Sequence, residues 1–145
     1  MLLQLKNVYL ADDDIDDVEF FKEALKTIAP HCSLTVAANG KELVKTLKTD
    51  GEPPDIIFID INMPVMNGLE ALKAIKENNL DKAAPVIIYS TSNNEEMIRL
   101  AKDYGANFYV VKPADFNVLK DKISRLLSYN WSEWQMSEVL KEYVL

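Results

Sequence analysis

Pro54-Asp55-Ile56-Ile57-Phe58-Ile59-Asp60-Ile61-Asn62-Met63-Pro64-Val65-Met66-Asn67-Gly68 is the stretch on which the fold turns. Four apolar residues, Ile56 to Ile59, run without alternation between Pro53-Pro54 and Asp60. A short, solidly apolar run bounded by turn residues reads as a strand covered on both faces. Met63-Pro64 and Asn67-Gly68 punctuate the segment that follows. From Gly68 onward Leu69, Leu72 and Ile75 fall at helical spacing. A doubly covered strand, a loop and an amphipathic helix make one βα unit.

The same alternation recurs on either side. Val8-Tyr9-Leu10-Ala11 precedes a helical pattern of Ile15, Val18, Phe21, Ala24, Leu25 and Ile28, which Pro30 stops. Leu34-Thr35-Val36-Ala37 precedes a short helix with Leu43, Val44 and Leu47, and Gly51 with Pro53 and Pro54 marks the next loop. Val86-Ile87-Ile88-Tyr89 precedes a helix expected to begin near Asn93 or Asn94, with Glu95 and Glu96 in its first turn, where the helix dipole favours anions, and to end at Gly105. Phe108-Tyr109-Val110-Val111 precedes a last helix carrying Val118, Leu119, Ile123, Leu126 and Leu127. Five βα units with apolar strands predict an α/β fold: one doubly wound parallel sheet with helices on both faces.

The bulk properties fit one domain. The chain has 145 residues, 48% of them apolar and 27% charged, ordinary values for a globular protein. Its formal net charge of −7 argues against unaided nucleic-acid binding, which needs cations to displace counterions. No apolar run approaches the roughly 18 residues of a membrane span. Asp12, Asp13 and Asp14 follow too closely on the amino terminus for a signal peptide. Cys32 is the only cysteine, so no intramolecular disulfide forms, and the chain is expected to be cytoplasmic.

Ligands of doubly wound sheets bind at the carboxyl ends of the strands. There the sequence puts Asp12 and Asp13 after the first strand, Asp60 after the third, Ser90 at the end of the fourth, and Lys112 with Pro113 after the fifth. Each alone has an ordinary explanation. A strand-end aspartate is usually a turn or cap residue, a serine there a helix cap, and a Lys-Pro a turn. Together they are four strand ends converging on one edge. Three crowded carboxylates repel unless a cation lies among them. Mg²⁺ takes oxygen ligands and leaves coordination positions for water and phosphate oxygens. A lysine and a hydroxyl beside it could hold a phosphoryl group, so the set reads as a metal-assisted phosphoryl-transfer site.

At these residues the chain resembles the receiver domain of response regulators, including the single-domain chemotaxis type. The resemblance rests on Val8 to Asp14, on the third-strand segment quoted above, on Pro85-Val86-Ile87-Ile88-Tyr89-Ser90-Thr91-Ser92, and on Gly105-Ala106-Asn107-Phe108-Tyr109-Val110-Val111-Lys112-Pro113. It implies a flavodoxin-like sheet of strand order 2-1-3-4-5 and a receiver domain over 1–128, with 129–145 as a C-terminal extension. It also implies that Asp60 accepts a phosphoryl group from a sensor histidine kinase or a histidine phosphotransfer protein. Asp13 and Asp60 would bind Mg²⁺ directly, Asp12 through water, and the Asn62 backbone carbonyl would complete the set. Ser90 and Lys112 would hold the phosphoryl group, Tyr109 would be the aromatic switch residue, and Pro113 would follow a cis peptide bond. The surface of helix four, strand five and helix five would then change to control a downstream protein target. The chain would act as a stand-alone switch rather than an enzyme, monomeric or dimerising on phosphorylation, with neither nucleic acid nor membrane as partner.

A rival reading is a Mg²⁺-dependent aspartyl phosphatase or phosphotransferase resembling haloacid-dehalogenase hydrolases. Those need an acid two residues after the nucleophile, and here that position is Asn62, which cannot donate a proton in that way. A phosphate-independent docking domain is the other, against which the intact acid set and Lys112 speak. Asp14 is expected to cap the first helix, and His31 and Cys32 to be structural. In the extension, Trp131, Trp134, Met136, Val139, Leu140, Tyr143, Val144 and Leu145 partly follow helical spacing, which favours a helix packed back on the domain over an exposed apolar strip for a partner or a second copy.

Overall fold

The computed structural model describes residues 5–49, 51–131 and 142–145. Its elements, in chain order, are β1 (Asn7–Ala11), α1 (Ile15–Ile28), β2 (Ser33–Ala37), α2 (Gly40–Lys48), β3 (Ile56–Ile59), α3 (Gly68–Glu77), β4 (Val86–Ser90), α4 (Glu95–Asp103), β5 (Phe108–Val111) and α5 (Phe116–Ser128). All strand pairings are parallel and the order is β2-β1-β3-β4-β5, as expected. α1 packs on α5, while α2 packs on α3 and α3 on α4, so the helices form two layers around the sheet.

Burial follows from the pattern of the strands. β3 and β4 are buried at every residue, as is β5 up to Val110, because helices cover both of their faces. β2, at the sheet edge, is mostly exposed or half-buried. Between α1 and the sheet, Phe21 meets Phe58 and Tyr89 edge-on at centroid distances of 5.0 and 5.5 Å, a favoured aromatic geometry. Each helix begins at an Asp or Asn whose side chain accepts from a backbone N–H of the first turn: Asp14, Asn39, Asn67, Asn94 and Asp115. Asn67 completes a reciprocal box with Glu70. These caps fix where each helix starts, and with it the length of the loops at the strand ends.

One of those loops is unusually tight. A Cβ on Gly68 would lie 2.1 Å from the Asp60 carbonyl oxygen and 2.8 Å from Ile61 Cα. Only glycine lets the start of α3 close against the end of β3, and Gly68 N–H donates to the Ile61 carbonyl at 2.9 Å. The same loop holds Val65 at φ 71°, an unusual left-handed conformation for a β-branched residue, with its side chain exposed.

Two expectations change. Among the described residues there is no cis peptide bond, so the Lys112-Pro113 bond is trans. In the trans form Lys112 N–H reaches the Ser90 carbonyl at 2.8 Å while its ammonium sits among the acids, so both contacts are made with the intrinsically preferred isomer. The extension was expected to be helical; α5 ends at Ser128, 129–131 and 142–145 are not helical, and the intervening 132–141 lie outside the described residues. Instead Tyr129 stacks on Phe108, Trp131 meets Phe108 edge-on, and Val144 forms a parallel bridge to Tyr109 on β5. Trp134, Met136, Val139 and Leu140 lie outside the described residues.

Gly68→Ala is expected to destabilise the fold by about 1–3 kcal/mol, because the clash is with backbone that must shift. Gly51→Ala, where a Cβ would meet nothing within 4 Å, is expected to be near neutral. Urea unfolding of the two variants beside the parent checks this.

Candidate functional site

β1 and β3 are neighbours in the sheet and end side by side, Ala11 paired with Ile59. The next residues, Asp12 and Asp60, therefore emerge together. Backbone bonds lock the arrangement: Asp60 N–H donates to the Ala11 carbonyl at 2.9 Å and Asp12 N–H to the Ala37 carbonyl at 3.0 Å. Asp13 adds a third carboxylate, and oxygens of Asp12, Asp13 and Asp60 all lie within 4.8 Å of one another. Asp12 and Asp60 are buried, whereas Asp13 is exposed. Asn62 and Asp13 border one open cleft, together with Met63, Pro64 and Met97.

Lys112 comes from the end of β5. Its ammonium donates to Asp12 Oδ2 at 2.8 Å and to Asp60 Oδ2 at 3.3 Å, with the side chain only 6% exposed. It also lies 5.2 Å from the centroid of the Tyr89 ring, within cation–π range. A third carboxylate holds it as well: Asp17 Oδ2, at 2.8 Å. The sequence reading missed Asp17. A signal was available, since Asp17 stands in the first turn of α1, three residues after the cap, where a helix leaving β1 passes over the strand ends.

The electrostatics follow from crowding and burial. Burial raises Asp12 to about 6, against the lowering effect of its bonds from Lys112 and from Asp14 N–H. Burial would lower Lys112, but the hydrogen bonds to Asp12 and Asp17 and the charges of Asp60 and Asp12 outweigh it and hold the ammonium protonated. The Lys112 ammonium thus bonds three carboxylates, those of Asp12, Asp17 and Asp60. The closely grouped oxygens of Asp12, Asp13 and Asp60, partly open to solvent, suit a hard divalent cation. This donor set, with a lysine beside it, can neutralise and orient a phosphoryl group.

The remaining expected residues stand farther along the same edge. Ser90, fully buried at the end of β4, accepts from Ser92 N–H at Oγ, at 3.2 Å. Tyr109 is fully buried on β5, its hydroxyl donating to the Ser92 carbonyl at 2.7 Å. The Ser90 loop and the Tyr109 ring are thus joined through Ser92. Asp14 caps α1 as expected, accepting from Asp17 N–H. Cys32 bonds to the Leu5 carbonyl and lies 3.7 Å from His31, in the loop preceding β2 at the opposite end of the sheet from these strand ends.

A doubly wound sheet with three acids and a lysine at its carboxyl edge defines a class of phosphate-handling α/β domains. The chain belongs to the response regulator receiver domain family, whose model matches residues 8–124. Domains of this family are phosphoacceptor switches rather than ordinary enzymes. The response regulator Rcp1 of Synechocystis is 29% identical over 133 residues, covering 88% of this chain and 90% of that protein. The chemotaxis protein CheY of Listeria monocytogenes is 39% identical over 102 residues, 68% of this chain and 82% of the other. Among solved structures, the phosphorylated cyanobacterial phytochrome response regulator RcpA superposes with a TM-score of 0.76 at 29% identity, covering 89% of this chain and 95% of that one. The Mn²⁺-bound form of Rcp1 gives 0.75 at 26%, covering 90% and 97%. The chain also matches a probable cyclic di-GMP phosphodiesterase of Vibrio cholerae at 29% identity, but spans only 31% of its length. No helix among the described residues is long and apolar enough to cross a membrane.

Asp12 supplies a pH test. Folded Asp12 keeps its proton up to about pH 6, whereas the unfolded chain releases it near 3.8. The folded state binds more protons in that window, so metal-free stability falls as pH rises through it, by on the order of 3 kcal/mol. Asp12→Asn is therefore expected to melt at a higher temperature than the parent at pH 7 in chelator, and the two to converge below pH 4. Thermal unfolding across pH measures it.

Proposed function

We propose that this chain is a phosphorylation switch whose acceptor is Asp60. The observation that carries the reading is the grouping of the Asp12, Asp13 and Asp60 carboxylates within 4.8 Å, with the Lys112 ammonium bonded to two of them. Asp12, Asp13, Asp60 and the Asn62 carbonyl would hold Mg²⁺, which supplies charge neutralisation for the incoming phosphoryl oxygens. That the relative Rcp1 has a Mn²⁺-bound form supports divalent-cation binding by this chain.

The chemistry of the residues themselves is direct. An Asp60 carboxylate oxygen attacks the phosphorus of a phosphohistidine on a sensor kinase or phosphotransfer protein. The P–N bond breaks, the imidazole nitrogen leaves with the electron pair, and Asp60 becomes an acyl phosphate. Lys112, already held at the site, shifts from Asp60 to the new oxygens, and Ser90 turns its hydroxyl toward them. Ser90 and Tyr109 are tied through Ser92, so movement of Ser90 biases the packing of Tyr109 and with it the face of α4, β5 and α5. The downstream protein reads that face. The receiver unit is 1–128, with 129–145 an extension of it, and a kinase-fed switch of this kind works in the cytoplasm.

Asn62 stands where an aspartyl phosphatase needs its general acid, so Asp60 is an acceptor without that turnover step. Titration with beryllofluoride, a phosphoryl analogue, tests the reading. Amide NMR shifts around Asp60, Ser90 and Tyr109 are expected to saturate only when Mg²⁺ is present and to vanish in Asp60→Asn. A folded parent protein with no Mg²⁺-dependent shift would overturn the proposal.

A further inference from the structure

β5 is the last strand of the sheet, and its outer edge is not bare. Tyr109 N–H donates to the Tyr143 carbonyl at 3.0 Å, Leu145 N–H donates to the Tyr109 carbonyl at 2.8 Å, and Val111 N–H donates to the Leu145 carbonyl at 3.3 Å. This is a parallel ladder one bridge long, made by residues 143–145 of the same chain. The flanking contacts reach the two neighbouring helices. Lys102 of α4 places its ammonium 5.5 Å from the centroid of the Tyr143 ring, and Arg125 of α5 pairs with Glu142. Four residues thus touch α4, β5 and α5 together, and their hydrogen bonds centre on Tyr109.

The seat is built to be left. The ladder has three hydrogen bonds. The Arg125–Glu142 pair is about half-exposed on both sides, so solvent screens it. Val144 is 42% exposed. Tyr143 is buried, yet among the described residues its hydroxyl has no hydrogen-bond partner, a burial that works against docking. Tyr109 takes part on both sides, its hydroxyl on the Ser92 carbonyl and its backbone on the tail.

We infer that the outer edge of β5 is the chain's interaction surface for an added strand, that Tyr143–Leu145 occupy it in the unphosphorylated protein, and that phosphorylation releases them. The inference rests on the proposed phosphorylation of Asp60. A shift of Tyr109 drawn by Ser90 moves the N–H and carbonyl on which the tail hangs. Once the tail leaves, the edge presents unpaired backbone groups, and an extended segment of a partner protein is the kind of ligand that pairs with them. Coupling is reciprocal: whatever loosens the tail tightens phosphoryl-analogue binding.

The test uses the full chain, amide hydrogen exchange and beryllofluoride with Mg²⁺. Without the analogue, the amides of Tyr109, Val111 and Leu145 are expected to be protected. At saturation they should exchange at least tenfold faster, while the β1–β3 ladder keeps its protection. Leu145→Pro, which deletes one tail donor, should bind the analogue at least threefold tighter. Tyr143→Phe, which deletes the unpartnered hydroxyl and strengthens docking, should bind it more weakly. A purely structural tail would not move the two variants in opposite directions. Protection that persists while shifts around Asp60 report saturation overturns the inference alone and makes the tail a permanent strand. Protection that falls on dilution of the metal-free protein overturns it in favour of a tail donated by a second copy. Failure of the analogue to bind at all overturns the Asp60 reading and this inference with it.

Discussion

The constraint on which everything else depends is the repulsion among Asp12, Asp13 and Asp60. A parallel sheet brings the ends of β1 and β3 together because the two strands are hydrogen-bonded neighbours, and the sequence places acids at those ends. The backbone relieves little of that crowding, through the Asp14 N–H that donates to Asp12 Oδ1 at 3.0 Å. Lys112 does so in part, at the cost of being held by Asp12, Asp17 and Asp60 at once. A lysine with three partners is already matched to anionic oxygen. An ammonium already bonded to three carboxylate oxygens needs no new kind of partner to meet further anionic oxygen.

The fold was legible because its signals are redundant. Solid apolar runs identify the strands, helical spacing the helices, and an Asp or Asn marks the start of each helix. Gly68 was legible as a turn but not as a contact; only the structure shows that any side chain there would run into the Asp60 carbonyl. The acids and Lys112 could be placed at one edge because parallel strands all point their carboxyl ends the same way.

What escaped the sequence reading has a common cause. Asp17 escaped notice because an acid in the first turn of a helix is explained adequately by dipole and solvent. The direction of its side chain, toward Lys112, depends on how α1 lies across the sheet. Tyr143 to Leu145 looked like the end of an amphipathic helix, since helical spacing and a short apolar strand share the same residues when the run is brief. Pairing with β5 is a tertiary event and leaves no local trace. The isomer at Pro113 is likewise set by neighbours, because the intrinsic preference is under about 1 kcal/mol.

The contact between Lys112 and Asp12 closes a loop of 100 residues. The entropy of that closure is met only once the strands between have assembled. Until β5 is in place, the acids at the ends of β1 and β3 stand together without their lysine, and the charge that serves the finished protein opposes its early collapse. Such a site has no partly formed version: its chemistry arrives with the last strand, so a chain that has not finished folding has no means of signalling.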